Sequence, residues 1–216
     1  MKGLYPLFLI LLAEPAFGQA LSFGVAGGVP LSDAFSTPTG SNITYTSVTR
    51  RYTIGPEAVI GLPLLGLRVA ADALYQRIGW DSARAATPLY EPFQSTVRLG
   101  AWDFDALLER RFGHAGIHPY LGAGPAFRRF FTTRENYFFP DRPADALSNQ
   151  LVIEVGQKNI AGIAFAAGLE TGGAVRIAPE FRYTRWLMDN IPDSYRGLAT
   201  QANQAEFLLS IRFGRR

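Results

Sequence analysis

The sequence predicts an all-β chain: a closed antiparallel up-and-down transmembrane β-barrel of about eight strands, preceded by a signal peptide. Three observations carry this prediction. After a short apolar leader, no run of residues approaches the ~20 apolar positions a membrane helix needs, so any crossing must be made by strands. Period-two alternation recurs in segments near the ~9 to 11 residues of a tilted barrel strand. The connections between those segments alternate between very short and long, as they do where one rim of a barrel carries tight turns and the other extended loops.

The leader comes first. Met1 and Lys2 give a positive start, and 3–12 (GLYPLFLILL) is an apolar core too short to span a bilayer as a helix, with Pro6 and Pro15 bracketing it against a buried helix. Small residues then permit cleavage before Gln19 or, preferentially, before Leu21. We therefore divide the chain into a signal peptide at 1–20 and one barrel domain at 21–216, the 216 residues requiring no second domain.

Eight segments follow. The first two, 21–29 and 51–60, are rich in small residues and their facing is less distinct. The third places Leu67, Val69, Ala71, Ala73 and Tyr75 outward, with Arg68, Ala70, Asp72, Leu74 and Gln76 inward. The fourth sets Trp102, Phe104, Ala106 and Leu108 against Asp103, Asp105, Leu107 and Glu109. The fifth and sixth, 117–129 and 160–170, are again Gly- and Ala-rich. In the seventh, Val175, Ile177, Pro179, Phe181 and Tyr183 oppose Arg176, Ala178, Glu180, Arg182 and Thr184. The eighth is clearest: Ala205, Phe207, Leu209, Ile211 and Phe213 on one face, Gln204, Glu206, Leu208, Ser210 and Arg212 on the other. Hairpin turns are expected at 62–66, 113–116 and 171–173, and long connections at 30–49, 80–95, 131–158 and 187–202.

An eight-stranded barrel is only wide enough for its own side chains, so inward charges must satisfy one another. The expected lumen ion-pair network comprises Glu57, Arg68, Asp72, Asp103, Asp105, Glu109, Glu170, Arg176, Glu180, Arg182, Glu206 and Arg212, with Arg51 a further candidate. Lys occurs only at Lys2 and Lys158, and the planar Arg fork suits bidentate carboxylate pairing. Aromatic residues gather at both rims of membrane barrels. That rule assigns Trp80, Trp102, Trp186, Tyr183, Phe130 and Phe131 to a belt near the long loops, and Phe23, Phe112, Tyr120 and Phe213 to one near the turns.

Composition narrows the function classes. Hydrophobic residues are 48% and charged residues 18%, too apolar for disorder. Absence of Cys removes disulfides, thiolate metal sites and a lipid-modified cysteine. A net charge of +3 without basic runs speaks against nucleic-acid binding. His114 and His118, the only histidines, fall at a turn, where they read as solvated rather than catalytic. Asp103 and Asp105 share an inward face, which favours ion pairing over acid/base work. Gly122-Ala123-Gly124 lacks the helix of a dinucleotide fingerprint. Neither a cofactor nor a metal is expected.

Several stretches resemble the small outer-membrane β-barrel family of Gram-negative bacteria, the OmpA, OmpX and OmpW class: LSFGVAGGVPLSDAF, GLRVAADALYQRIGW, AWDFDALLERRF, HPYLGAGPAF and RIAPEFRYTRW, within 21–214. The resemblance implies a cell outer membrane location and insertion by the barrel-assembly machinery, which reads an aromatic-ended final strand. Phe213 fills that place, although Gly214, Arg215 and Arg216 follow it, and no room is left for a peptidoglycan-binding domain.

The expected function is thus a non-enzymatic, monomeric integral outer-membrane protein with a filled lumen, in a structural or surface-interaction role. A narrow channel for small or apolar solutes and a lipid-modifying enzyme are the alternatives, with a soluble lipocalin-like barrel a further competitor. Lipopolysaccharide is an expected partner. Arg128, Arg129 and Arg185 are the candidate contacts, within a wider group of Arg134, Arg142 and Arg196.

Overall fold

The computed structural model describes residues 21–36, 43–63, 66–88, 92–113, 116–138, 150–151, 159–187 and 199–214, the side chains of 132–138, 150–151 and 199–200 excepted. Eight strands build the wall: β1 Leu21–Pro30, β2 Thr53–Gly61, β3 Leu67–Arg84, β4 Phe93–Arg111, β5 Ile117–Phe138, β6 Asn159–Thr171, β7 Val175–Trp186 and β8 Asn203–Gly214. Each pairs antiparallel with its sequence neighbours, and β1 pairs with β8 from Ser22↔Gly214 to Pro30↔Glu206, closing the barrel. Among the described residues, the ring so closed leaves no edge strand.

Both ends of the wall follow from local chemistry. At one end the connections are tight, with Gly66 at φ 71° and Gly113 at φ 85° taking the left-handed conformation that side chains resist. The β1 and β8 termini lie at this turn end. At the other, the loop end, the wall stands taller than the alternation suggests. β3, β4 and β5 run to 18, 19 and 22 residues, so much of 80–95 and the 131–138 stretch are strand rather than loop. The pairing continues to Arg84↔Phe93, and the segment Ile43–Ser47 extends it on the other side through Ile43↔Arg84. Here the outward residues are polar: Thr96 donates to Asp81 at 2.7 Å, while Ser82 and Ser95 meet inside at 3.0 Å. Backbone pairing needs no apolar face, so it persists where period-two hydrophobicity has ended.

Across the loop end lies a cap. Phe35–Ser36 pairs with Ala199–Thr200, and the Phe35 ring meets Trp80 edge-on at 4.7 Å between centroids.

Side-chain direction is the main feature of the wall. On β8, Phe207, Leu209, Ile211 and Phe213 are exposed while Glu206, Leu208, Ser210 and Arg212 are buried. Every other strand also carries exposed apolar side chains, among them Val25, Ile54, Phe127, Ile163 and Phe181. The outside is greasy and the inside holds most of the buried charge, the reverse of a soluble barrel.

Candidate functional site

The lumen has two storeys. In the half nearer the turns, guanidinium groups cross the interior as struts. Arg182 on β7 reaches the diametrically opposed wall, donating to Asp72 on β3 at 3.1 and 2.8 Å and to Asp105 on β4 at 2.6 Å, and also pairs with Glu180 beside it at 2.8 Å. Asp72 and Asp105 stand directly opposite each other in register, a like-charged pair that would repel without the guanidinium between them. Below, Arg68 bridges Glu109 on its neighbouring strand and Glu170 on β6, both at 2.5 Å. Arg212 holds Glu57 through two bonds of 2.9 and 2.6 Å and Glu170 at 2.7 Å. Glu170 also lies within 3.5 Å of Arg176 and 3.3 Å of Arg111.

Small residues make these crossings possible. To reach Glu57 on β2, Arg212 on β8 must pass β1, and it does so at Gly24, where a Cβ would lie 3.2 Å from Arg212 Cγ. The Tyr120 ring lies against Gly168, where any Cβ would run into the ring and its hydroxyl. From that position its hydroxyl donates to Glu180 at 2.8 Å, and the Arg68 and Arg212 guanidinium carbons lie 4.8 and 5.6 Å from the ring centre.

The upper storey is mostly apolar. Ile78, Trp80, Val97, Leu99, Phe130, Ile160 and Trp186 form one buried cluster, closed above by Ala34 and Phe35. Between the storeys Arg128 holds Asp103 bidentately at 2.6 and 2.7 Å, donates to Gln204 at 2.9 Å across the barrel, and stacks 4.4 Å from the Trp186 ring. Gln76 donates to the same carboxylate at 2.5 Å. Glu206 is buried in this layer, opposite Arg182 in register.

These positions correct several expectations. Arg128 is not at the lipopolysaccharide rim: it is 1% exposed and belongs to the lumen. Trp80, Trp186, Tyr120 and Phe130 are likewise not in an aromatic girdle but point inward. Strand parity gives the reason. Trp80 follows Asp72 and Gln76 by an even number of residues, Trp186 follows Arg182, and Arg128 and Phe130 follow Tyr120, so all share the inner face. The same count places Arg128 and Tyr120 on one face of their strand, and their burial shows that face to be the inner one. Arg51 is exposed and lies outside the network.

Trp102, Tyr183, Phe23, Phe112, Phe131 and Phe213 face outward or lie at the outer surface. Arg129 and Arg185 are exposed, and Arg185 donates to Asn203 at 2.5 Å. His114, Arg142 and Arg196 fall outside the described residues, as does 1–20; the side chain of Arg134 does too.

Among the described residues, these contacts show no arrangement for nucleophilic chemistry. Asp103 and Asp105 are each held by a guanidinium, and His118 faces the lumen at the turn end with Nδ1 unbonded among the described residues. No group of His, Asp and Glu among the described residues is arranged to hold a metal.

No family model matches the chain, and no curated protein does at a significant level. Among solved structures it is similar to the outer membrane protein OprG from Pseudomonas aeruginosa, with a TM-score of 0.50 at 13% identity over 92% of this chain and 95% of that one. It is also similar to Neisserial surface protein A (TM-score 0.48, 15% identity, 92% and 100% covered) and to Ail, the attachment invasion locus protein of Yersinia pestis (0.41, 10%, 92% and 97%). At such identities the likeness concerns the fold. The chain has the closed, eight-stranded antiparallel fold of small outer-membrane barrels.

Proposed function

We propose that this chain is a non-enzymatic integral protein of the bacterial outer membrane, exported by a signal peptide at 1–20 and inserted as a monomeric barrel spanning 21–216. One observation carries the proposal: exposed apolar side chains surround a wall whose interior holds buried ion pairs. Burying such a band in hydrocarbon removes a large apolar surface from water, at roughly 25 cal/mol per Å². No other solvent rewards that arrangement on all sides of a closed barrel.

The filled lumen favours a structural or surface-interaction role over a solute path. A solute would have to displace the Arg182 strut and then the Trp80, Phe130 and Phe35 plug. With the chain termini and turns in the periplasm, the loops face outward, where Arg129 and Arg185 would meet lipopolysaccharide. Phe213 on the final strand would serve the assembly machinery.

Membrane fractionation of cells expressing the full chain tests the location. The protein should appear in the outer-membrane fraction and migrate differently on a gel before and after boiling. In planar bilayers it should give no steady, large conductance. A soluble periplasmic product would overturn the proposal, and a stable open pore would overturn the filled-lumen role.

A further inference from the structure

The outer wall carries a feature that the lumen does not account for. Midway along β3 and β4, and beside Phe131 on β5, aromatic rings form a continuous outward patch: Tyr75 lies 5.6 Å from Trp102 and 5.9 Å from Phe131, and Trp102 stacks 6.4 Å from Phe104. Rings at this height mark the boundary between hydrocarbon and head groups. Directly on the loop side is a cleft of about 440 Å³, with Tyr75 and Phe131 at its lower edge and Arg50, Arg77 and Arg98 around it.

The strands build this cleft from alternation. On β3 the outward face passes from Tyr75 to Arg77, two residues and thus ~7 Å nearer the loops. On β4 it passes from Trp102 through Gly100 to Arg98, with Arg77↔Gly100 and Gly79↔Arg98 in register. Each arginine therefore faces a glycine, so no second side chain stands opposite it on the neighbouring strand. A Cβ on Gly100 would lie 2.9 Å from the Phe131 ring, and one on Gly79 would meet the Val97 carbonyl. Arg50 joins through its backbone, which donates to the Arg77 carbonyl at 3.0 Å.

Charge selects the ligand. Arg98 lies 3.3 Å from Asp81 and donates to the Val97 carbonyl at 3.1 Å, so one positive charge is offset. Arg50 and Arg77 have no acidic partner among the described residues, which leaves about two positive charges facing a cleft at head-group height. A phosphate monoester carries about −1.5 to −2 and offers oxygens matched to guanidinium forks. We propose that this cleft binds the phosphate of a phosphorylated lipid headgroup in the leaflet at the loop end. The inference rests on the reading that the apolar band lies in a bilayer, and it concerns arginines separate from Arg129 and Arg185.

Native mass spectrometry of the folded protein in detergent tests it, using as probes lipid A bearing both phosphates, the same lipid dephosphorylated, phosphatidylcholine, and inorganic phosphate alone. Wild-type protein should retain bisphosphorylated lipid A at least about tenfold more strongly than the dephosphorylated form. Arg77→Gln should weaken that retention about tenfold, and Arg50→Gln with Arg77→Gln should abolish the preference. Arg110→Gln, on the outer face near the turn end, should leave it unchanged.

Equal retention of both lipid A forms, or a double variant matching wild type, would overturn the proposal. Inorganic phosphate binding as tightly as the lipid would assign the cleft to free phosphate and overturn the lipid assignment. Heat-modifiability of every variant on a gel checks that it has folded. If the membrane reading itself fails, no lipid of any kind, phosphatidylcholine included, should be retained; if only the cleft assignment fails, lipids remain without preference for phosphate.

Discussion

Replacing Arg182 by Met tests the lumen most sharply, because one side chain holds three acids. Its side chain is 2% exposed and its partners Asp72, Asp105 and Glu180 are 1%, 5% and 1% exposed. Removing one member of a buried ion pair costs about 3–5 kcal/mol, since the remaining charge stays desolvated and unpaired. Here Asp72 and Asp105 would also face each other directly. Glu180 would keep the Tyr120 hydroxyl at 2.8 Å, so the loss falls chiefly on the two aspartates.

Urea unfolding in phosphatidylcholine vesicles, followed by Trp fluorescence and gel mobility, supplies the measurement. With a slope of about 2 kcal/mol per molar, Arg182→Met should lower the midpoint by about 2 M. The triple variant Arg182→Met, Asp72→Asn, Asp105→Asn should recover most of that, because the two facing aspartates are then neutral and Glu180 keeps its hydrogen bond from Tyr120. A single variant within about 0.5 M of wild type, or a triple variant no more stable than the single, would refute the strut argument.

Two further outcomes follow from side-chain direction. Leu209→Arg places a charge on the outward face midway along β8, opposite Gly27, and should destabilise the vesicle-inserted protein by about 2–4 kcal/mol in the same titration. The three Trp should respond unequally to brominated lipid acyl chains. Trp102→Phe should remove most of the quenching, whereas Trp80→Phe and Trp186→Phe should leave it nearly intact, since those two rings lie within the lumen cluster.

The parts of this architecture most legible in the sequence are those where lipid and lumen impose opposite demands. The alternation from Phe207 to Phe213 and from Leu67 to Gln76 reads directly because one side chain in two must be apolar. Above the aromatic patch that demand ends. Outward positions such as Asp81, Gln94 and Thr96 become polar, the period-two signal fades, and the extra length of β3 and β4 is held by backbone pairing with polar contacts such as Thr96 to Asp81 and Ser82 to Ser95.

The misplaced aromatics have a different origin. Trp80 and Trp186 sit at girdle height, but parity turns them inward, where Arg128 stacks on one and Phe35 packs on the other. A rule based on height overrode a count based on alternation. Arg128 was obscured for a related reason. Its strand, rich in Gly and Ala, offers little contrast between faces, and its even distance from Tyr120 says only that the two share one. The arginine cleft was hidden because it depends on the register of Gly79 and Gly100 with arginines on neighbouring strands.

The chain contains no Cys, so single cysteines can report direction one position at a time. Nitroxide labels on Phe207→Cys, Leu209→Cys and Ile211→Cys in vesicles should collide readily with oxygen and scarcely with an aqueous nickel chelate, and Ser210→Cys should resist small aqueous thiol reagents until the protein unfolds. Strong nickel access at the three odd positions, with free labelling at Ser210 in the folded protein, would contradict a barrel whose apolar side faces hydrocarbon and whose charges fill its centre.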